Sequence, residues 1–574
     1  MSPVSGTVGE LDGFRSWADV ARAARRKLRR QRTEDWRTLS WKKIQRDVRR
    51  LQQRIYQAER RGDWKRARSI ERLLLHSWSG RCLAVRQVTQ DNRGKRTPGV
   101  DGVAKLTPSQ RLKLARRLCH LTEWEAAPIR RVYIPKPGST EKRGLGIPVM
   151  ADRAMQALVK LALEPEWEAK FEANSYGFRP GRCVHDAIEA VFNTICLKPK
   201  YVLDADIEKC FDRIDHEALM SKLDATRPVA RLVRAWLKAG IVDQGETLYP
   251  EAGTPQGGVI SPLLANVALH GLELALVQAA PRKYRVTVIR YADDLVVLCA
   301  DLDTLLKVKV VAEEWLAEMG LRLKPSKTRI THTLEEYEGN VGFDFLGFHV
   351  RQYRVGKYRT RTYRGQEGFK TYIRPSQQAI QRHQEDIGAV IRQHRGAPQV
   401  ALITALNPVV RGWSQYYRTV AAKNTLNQMD YQTSFQLRRW AGRRHPGKKA
   451  GWRFRRYWRR QGKRMSFTDG KHTLVCHADT PIVRHVKVRG EKSPYDGDWV
   501  YWVDRLGKDP TKPDRMVQLV RRQNGKCVWC GLRLTTEDAL EVHHWDGKRQ
   551  NNHYKNLVLL HAHCHDQTHG ERCQ

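Results

Sequence analysis

The chain has 574 residues, more than one hydrophobic core usually supports, and reads as several domains. Its 104 Lys and Arg against 61 Asp and Glu give a formal net charge of +43, and arginine interleaved with tryptophan and tyrosine points to nucleic acid as the neutralising partner rather than to a membrane surface. The 41% hydrophobic fraction is ordinary, no stretch reads as a bilayer span, and the basic N-terminus has no apolar signal core, so a cytoplasmic or nucleoid location without membrane association is expected.

Residues 1–40 are polar and basic without a sustained apolar period and read as a flexible arm. Trp41, Ile44, Val48, Leu51 and Ile55 then recur at steps of three and four, which places them on one face of a helix. After the turn Arg61-Gly62-Asp63, a second helix runs through Ile70, Leu73 and Leu74. Residues 41–127 form a helical extension that either only packs on the core or also offers a basic face to RNA. Between 128 and 365 short apolar runs alternate with helical stretches, an α+β pattern, with strands predicted at 131–134, 201–203, 286–291, 295–298 and 343–348. Residues 366–437 read helical; their Trp413, Tyr416 and Tyr417 are more often core at such spacing than base-stacking. About half of residues 438–464 are Lys or Arg, punctuated by Trp440, Trp452, Tyr457 and Trp458. Most of the 11 cysteines are scattered singly and fit reduced, buried small hydrophobes, but 516–574 gathers Cys and His in one small module.

The segment 202–212 is an apolar strand running into Asp206, and Tyr291-Ala292-Asp293-Asp294 lies between two strand-like runs, which puts its aspartates at a hairpin turn. Nucleotidyl transfer needs such an arrangement, because two Mg²⁺ ions about 3.5 to 4 Å apart clamp the attacking and leaving oxygens. Hard carboxylate oxygens and substrate phosphates suffice as ligands. Asp206 and Asp293 are the candidates to bridge both ions, with Asp294 in support and Ile207 among the metal contacts. An Asp-Asp pair alone is more often a solvated turn.

Towards the C-terminus, Cys527-Val528-Trp529-Cys530 has zinc-knuckle spacing, and His561 with Cys564 supplies a second pair. Four such ligands close a tetrahedral structural Zn²⁺ site in a module too small for a large core. His563 is an alternative to His561.

In order along the chain, 134–148, 174–182, 206–212, 253–266, 291–294, 321–328 and 345–348 resemble the conserved blocks of the reverse transcriptases encoded by group II introns. The resemblance implies a multidomain α+β protein. Right-hand polymerase fingers and palm would cover 128–365, an α-helical thumb or maturase domain 366–437, and a basic DNA-binding domain 438–515. Lys136 and Arg143 are suited to the triphosphate of an incoming dNTP. Gly257 and Gly258 are suited to close approach of the backbone to template or nucleotide. Gln256 and Lys327 complete the nucleotide-site candidates, and Phe211 takes the position that blocks a ribose 2′-hydroxyl. Group II intron RNA and target DNA are the implied partners. Residues 516–574 resemble an HNH endonuclease, a zinc-stabilised ββα module. There His544 would be the general base and His543, His565 and His569 the ligands of Mg²⁺ or another divalent metal. Asn556 would hold the loop and orient the base. A module that binds DNA without cutting it, and a maturase that acts without chemistry, are the competing readings.

Overall fold

The computed structural model describes residues 35–135, 141–356, 368–462 and 464–569. Most of the arm expected over 1–40, and Lys136, lie outside the described residues. The last part of that expected arm is instead packed: Trp36 is 1% exposed and donates from its indole to Gln90 Oε1 at 2.6 Å.

Helix α1 (Trp41–Arg60) buries Trp41, Ile44, Val48, Leu51 and Ile55 on one face. Asp63 caps α2 (Trp64–His76), accepting from the Arg66 amide. Of the apolar residues that marked this helix, Ile70 and Leu74 are buried with Ala67 and Glu71, and Leu73 is exposed. These helices and α3 (Trp78–Arg86) pack beside α4 (Met150–Lys170), which follows the hairpin of β1 (Ile129–Pro135) and β2 (Lys142–Ile147).

The second half of this region begins with α5 (Val184–Ile195) and β3 (Tyr201–Asp206); β4 (Ile241–Asp243) and β5 (Glu246–Leu248) extend the fingers hairpin into a sheet of order β2-β1-β4-β5. The most apolar stretch, 261–279, is long and apolar enough by composition to cross a bilayer, contrary to the expectation from sequence. In the fold it is two short helices, α6 (Ser261–Ala268) and α7 (Leu272–Ala279), broken at Gly271 with φ +95° and built into the core.

Strands β6 (Thr287–Tyr291), β7 (Asp294–Cys299) and β8 (Arg329–His332) join β3 in an antiparallel sheet of order β6-β7-β3-β8. Leu295 and Val297 of β7 enter one apolar core and Val296 and Leu298 the other, so both faces of the sheet are covered there and the run is apolar without alternation. The single strand expected over 343–348 is two strands, β9 (Phe343–Phe345) and β10 (Phe348–Arg354), turned at Leu346 and Gly347 with φ +52° and +83°. Two consecutive left-handed residues make the tight hairpin turn that matches strand twist. Strand β11 (Phe369–Pro375) completes that sheet.

Helices α8 (Gln377–Gln393), α9 (Gln399–Tyr417), α10 (Lys423–Arg444) and α11 (Ala450–Tyr457) share one apolar core with the hairpin of β12 (Trp458–Gln461) and β13 (Arg464–Phe467). The domain boundary expected after 437 therefore falls inside a continuous helix. Trp440, Tyr457 and Trp458, which punctuate the basic stretch, are buried in this core. Beyond it the chain returns to the palm. Asp186 on α5 accepts from His485 Nε2 at 3.0 Å, from the Val488 amide at 2.8 Å and from Arg505 at 2.6 Å. Arg505 lies on α12 (Trp499–Leu506), and the boundary expected at 515 falls within α13 (Asp514–Arg522). The last module is a ββα unit of β14 (Leu540–His544), β15 (Leu557–His561) and α14 (Ala562–Thr568).

Candidate active site and C-terminal metal centres

The turn between β6 and β7 holds Ala292 in the left-handed region, φ +57°, which sets Asp293 at the tip. The register places Asp206 opposite Asp294, and the Ile207 amide donates to Asp293 O at 3.2 Å. One end of the palm sheet thus gathers Asp206, Asp293 and Asp294. The side chain of Ile207 is buried, which leaves its carbonyl as the group suited to a metal. Lys327 places Nζ 2.5 Å from Asp206 Oδ2, a cation already seated at the cluster.

Burial, and then the charge of Asp206, push the Asp293 carboxyl up; burial, then Asp293 and Asp206, push Asp294 up to about 7. Acids held together at this cost, with an all-oxygen donor set, fit a hard divalent cation. The proton on Asp294 competes with that cation, so lowering the pH should weaken metal binding. We expect the Mg²⁺ concentration for half-maximal primer extension to rise as the pH falls from about 8 to about 6. A requirement that stays flat over that window would contradict a protonated carboxyl in the metal-free cluster.

The block 174–182 lies against this tip. Tyr176 donates its amide to Arg290 O at 2.9 Å, and a Cβ on Gly177 would sit 2.3 Å from the Ala292 nitrogen. Only glycine permits that approach. Gly257 has φ +121°, and its Cβ would stand 2.5 Å from Gly146 O, so it seats this loop against the fingers hairpin while remaining exposed on its other side. A Cβ on Gly258 would meet Ser261 Oγ at 2.6 Å at the start of α6. Gln256, half-buried in the loop, accepts through its carbonyl from the Gly146 amide at 2.6 Å.

Arg143 is exposed on β2, and its charge reaches Asp293. Phe211 is half-buried just beyond β3, with its ring edge-on to Phe178 at 6.1 Å. Sequence reasoning missed Phe178, which is 49% exposed and held at φ +59° within its block. An exposed aromatic in a strained backbone conformation was the available signal, but it is visible only in three dimensions. Trp413 stacks on His383 at 4.5 Å, and Tyr416 and Tyr417 pack against Phe348, so all three belong to the core.

In the C-terminal module the ligand atoms of Cys527, Cys530, His561 and Cys564 all lie within 4.8 Å of one another, and all four residues are buried. His561 turns Nδ1 towards Cys530 Sγ at 3.4 Å. His563 instead stacks on the His561 ring at 5.0 Å and packs towards Trp41, so the alternative ligand is not in the cluster. Three thiols and an imidazole are the soft and borderline donors that suit zinc.

A second group, His543, His565 and His569, also brings its ligand atoms within 4.8 Å. His565 and His569 share one face of α14 and its end, and His565 Nδ1 is 2.6 Å from Glu541 Oε2. Burial, then His565 and His569, hold His543 down at about 4, so its ring is neutral and free to ligate. His544 follows on β14 and leaves the opposite face. Its Nε2 is buried and has no hydrogen-bond partner among the described residues. Asn556 donates to Asp546 Oδ1 and to Asn551 O, both at 2.9 Å, and accepts from the Asp546 amide at 3.0 Å. It pins the loop that follows His544, in which Asn551 donates to Asp546 Oδ2 at 2.7 Å and accepts from the His553 amide at 3.3 Å.

A strand end and a hairpin tip that gather three acids at one end of an antiparallel palm sheet are the arrangement of a template-directed polymerase of the reverse transcriptase class. Residues 134–350 match the family described as reverse transcriptase (RNA-dependent DNA polymerase), 36–118 its N-terminal domain, and 380–458 the group II intron maturase-specific domain. The chain is similar to protein YkfC of Escherichia coli (strain K12), 34% identical over 318 residues, covering 48% of this chain and 81% of that one. It is similar to the group II intron-encoded protein LtrA of Lactococcus lactis subsp. cremoris, 26% identical over 444 residues, 62% of this chain and 72% of the relative. Maturase-like protein 1 of Euglena gracilis is 24% identical over 396 residues, 66% of this chain and 76% of the relative. The chain belongs to the reverse transcriptases and maturases encoded by group II introns.

Proposed function

We propose that this reverse transcriptase and maturase also cuts DNA, so that one chain nicks a target, uses the new 3′-hydroxyl as primer and copies its intron RNA there. The observation that carries the nuclease is the second histidine group. A structural zinc needs only Cys527, Cys530, His561 and Cys564, yet His543, His565 and His569 converge beside a further histidine. A module that merely bound DNA would have no use for them.

In copying, Asp206, Asp293 and Asp294 would hold two Mg²⁺ ions, which would supply charge neutralisation at the attacking 3′-hydroxyl and the leaving pyrophosphate. Lys327 tempers the acidic cluster until they bind, and Arg143 faces the triphosphate. Phe211, braced by Phe178, stands where a 2′-hydroxyl would enter. In cutting, His544 accepts a proton from the attacking water, while Asn556 keeps the following loop still. His543, His565 and His569 would hold a divalent cation that stabilises the phosphate in the transition state. The basic face over 438–515 grips the duplex through its phosphates. The protein works in the cytoplasm or nucleoid, where RNA and DNA meet.

The test is to purify the full chain with its copurifying RNA, sequence that RNA, and present DNA carrying the flanking exon junction. The expected products are a single-strand nick and cDNA joined to its 3′ end. Extension of supplied primers without any nick, across divalent metals, would overturn the nuclease reading; failure to extend any primer on any RNA would overturn the polymerase.

A further inference from the structure

We propose that Asp538 is a positioning residue that couples the Cys527, Cys530, His561 and Cys564 centre to the fingers, so that metal loading locks the C-terminal module onto α1. This rests on reading that cluster as a zinc site.

Asp538 lies in the loop before β14, and its carboxylate joins groups far apart in the chain. From α1 it accepts Arg49 Nη2 at 2.5 and 2.6 Å and Gln45 Nε2 at 2.7 Å. From its own loop it accepts the amide and hydroxyl of Thr535, both at 2.8 Å. His561 Nε2 stands 3.4 Å from Oδ2, with Arg533 O at 3.2 Å as a second acceptor. The other nitrogen of that ring, Nδ1, faces the cysteines. One imidazole therefore sits between the metal cluster and the carboxylate that holds α1.

The chemistry of imidazole makes this a coupling. A ring that ligates metal through Nδ1 must carry its proton on Nε2, and that proton points at the acceptors which orient the ring. Loading thus fixes the tautomer that donates towards Asp538 and Arg533. In the metal-free ring Nδ1 loses the bond that anchors it, so only Asp538 and Arg533 O are left to orient the imidazole, and the loop that presents Asp538 to α1 is held less firmly.

The seam depends on such polar links. Arg49 Nη1 donates to Arg533 O at 3.0 Å, Arg86 Nη2 pairs with Asp566 at 2.8 Å, and the Gly181 amide donates to Glu537 Oε1 at 2.7 Å. A cavity of about 330 Å³ runs along it, lined among others by Gln45, Arg49, Asp538 and His561. Apolar packing does not seal the two parts together there, so hydrogen bonds set the orientation of the nuclease relative to the polymerase.

The experiment is amide hydrogen exchange on the full chain, with bound zinc counted by elemental analysis, before and after removal by a chelator. In loaded protein, residues 45–52 are expected to exchange slowly, and stripping should speed them about tenfold or more while the palm strands stay protected. At saturating zinc Asp538→Asn should still carry the metal, with affinity lowered about tenfold, yet exchange in α1 like stripped wild type. Arg49→Gln, which leaves the module intact, should do the same, extend a free primer normally and lose about tenfold in nick-dependent copying. Zinc bound without any effect of stripping or of either variant on α1 would overturn the coupling. Wild type that binds no zinc would overturn the reading beneath it, and the metal count tells the two failures apart.

Discussion

Asp293→Ala is expected to lower RNA-templated DNA synthesis by more than about a thousandfold, equivalent to about 4 kcal/mol of transition-state stabilisation, while splicing of the intron RNA persists. Asp293 sits at the tip of the hairpin, where its backbone joins the first residue beyond β3 through the Ile207 amide. Removing its carboxyl leaves that register intact but takes away an oxygen donor that no neighbour replaces, because Asp206 is already engaged by Lys327. Folding is checked by the unfolding midpoint, which should stay close to wild type, since the deleted group belongs to a turn rather than to the apolar core. Primer extension on an RNA template measures the loss. Synthesis within about tenfold of wild type would mean that the metals are held elsewhere.

His544→Ala is the companion on the other site. Strand nicking should fall by about 10² to 10⁴, the usual contribution of a general base, with extension of a supplied primer unchanged. The side chain leaves β14 on the face away from His543, so its loss should disturb neither histidine group. Cys527→Ser provides the contrast: it attacks the cluster that holds the module together and should lose zinc, thermal stability and nicking at once. If His544→Ala nicked at the wild-type rate, the base would have to be sought among other groups near the loop that Asn556 pins.

The parts legible in sequence were those with local signatures. The strand leading to Asp206 and the paired runs around Asp293 are short apolar segments bounded by acids, and β3, β6 and β7 form over them. The spacing of Cys527 and Cys530, and of His561 and Cys564, reports a turn geometry that survives folding. What sequence could not convey were encounters between distant segments. Nothing local distinguishes Arg49 from the other arginines of α1, yet it meets a carboxylate 489 positions away. The strand expected over 343–348 failed because its break depends on Leu346, a residue that rarely accepts a left-handed backbone. Gly257 was read as allowing close approach of template or nucleotide; its contact with Gly146 of the fingers hairpin was a further encounter that local sequence could not convey.

The buried aromatics of the maturase-specific domain have a consequence for affinity. With Tyr457 and Trp458 anchored inside, Arg455, Arg456, Arg459 and Arg460 are presented outward from a folded scaffold rather than from a loose tail. A phosphate backbone meeting this comb of fixed cations finds them already spaced, so little further ordering of the main chain is needed on contact. Attraction there should respond steeply to ionic strength, as any counterion-releasing surface does, yet dissociate more slowly than an unstructured polycation of equal charge.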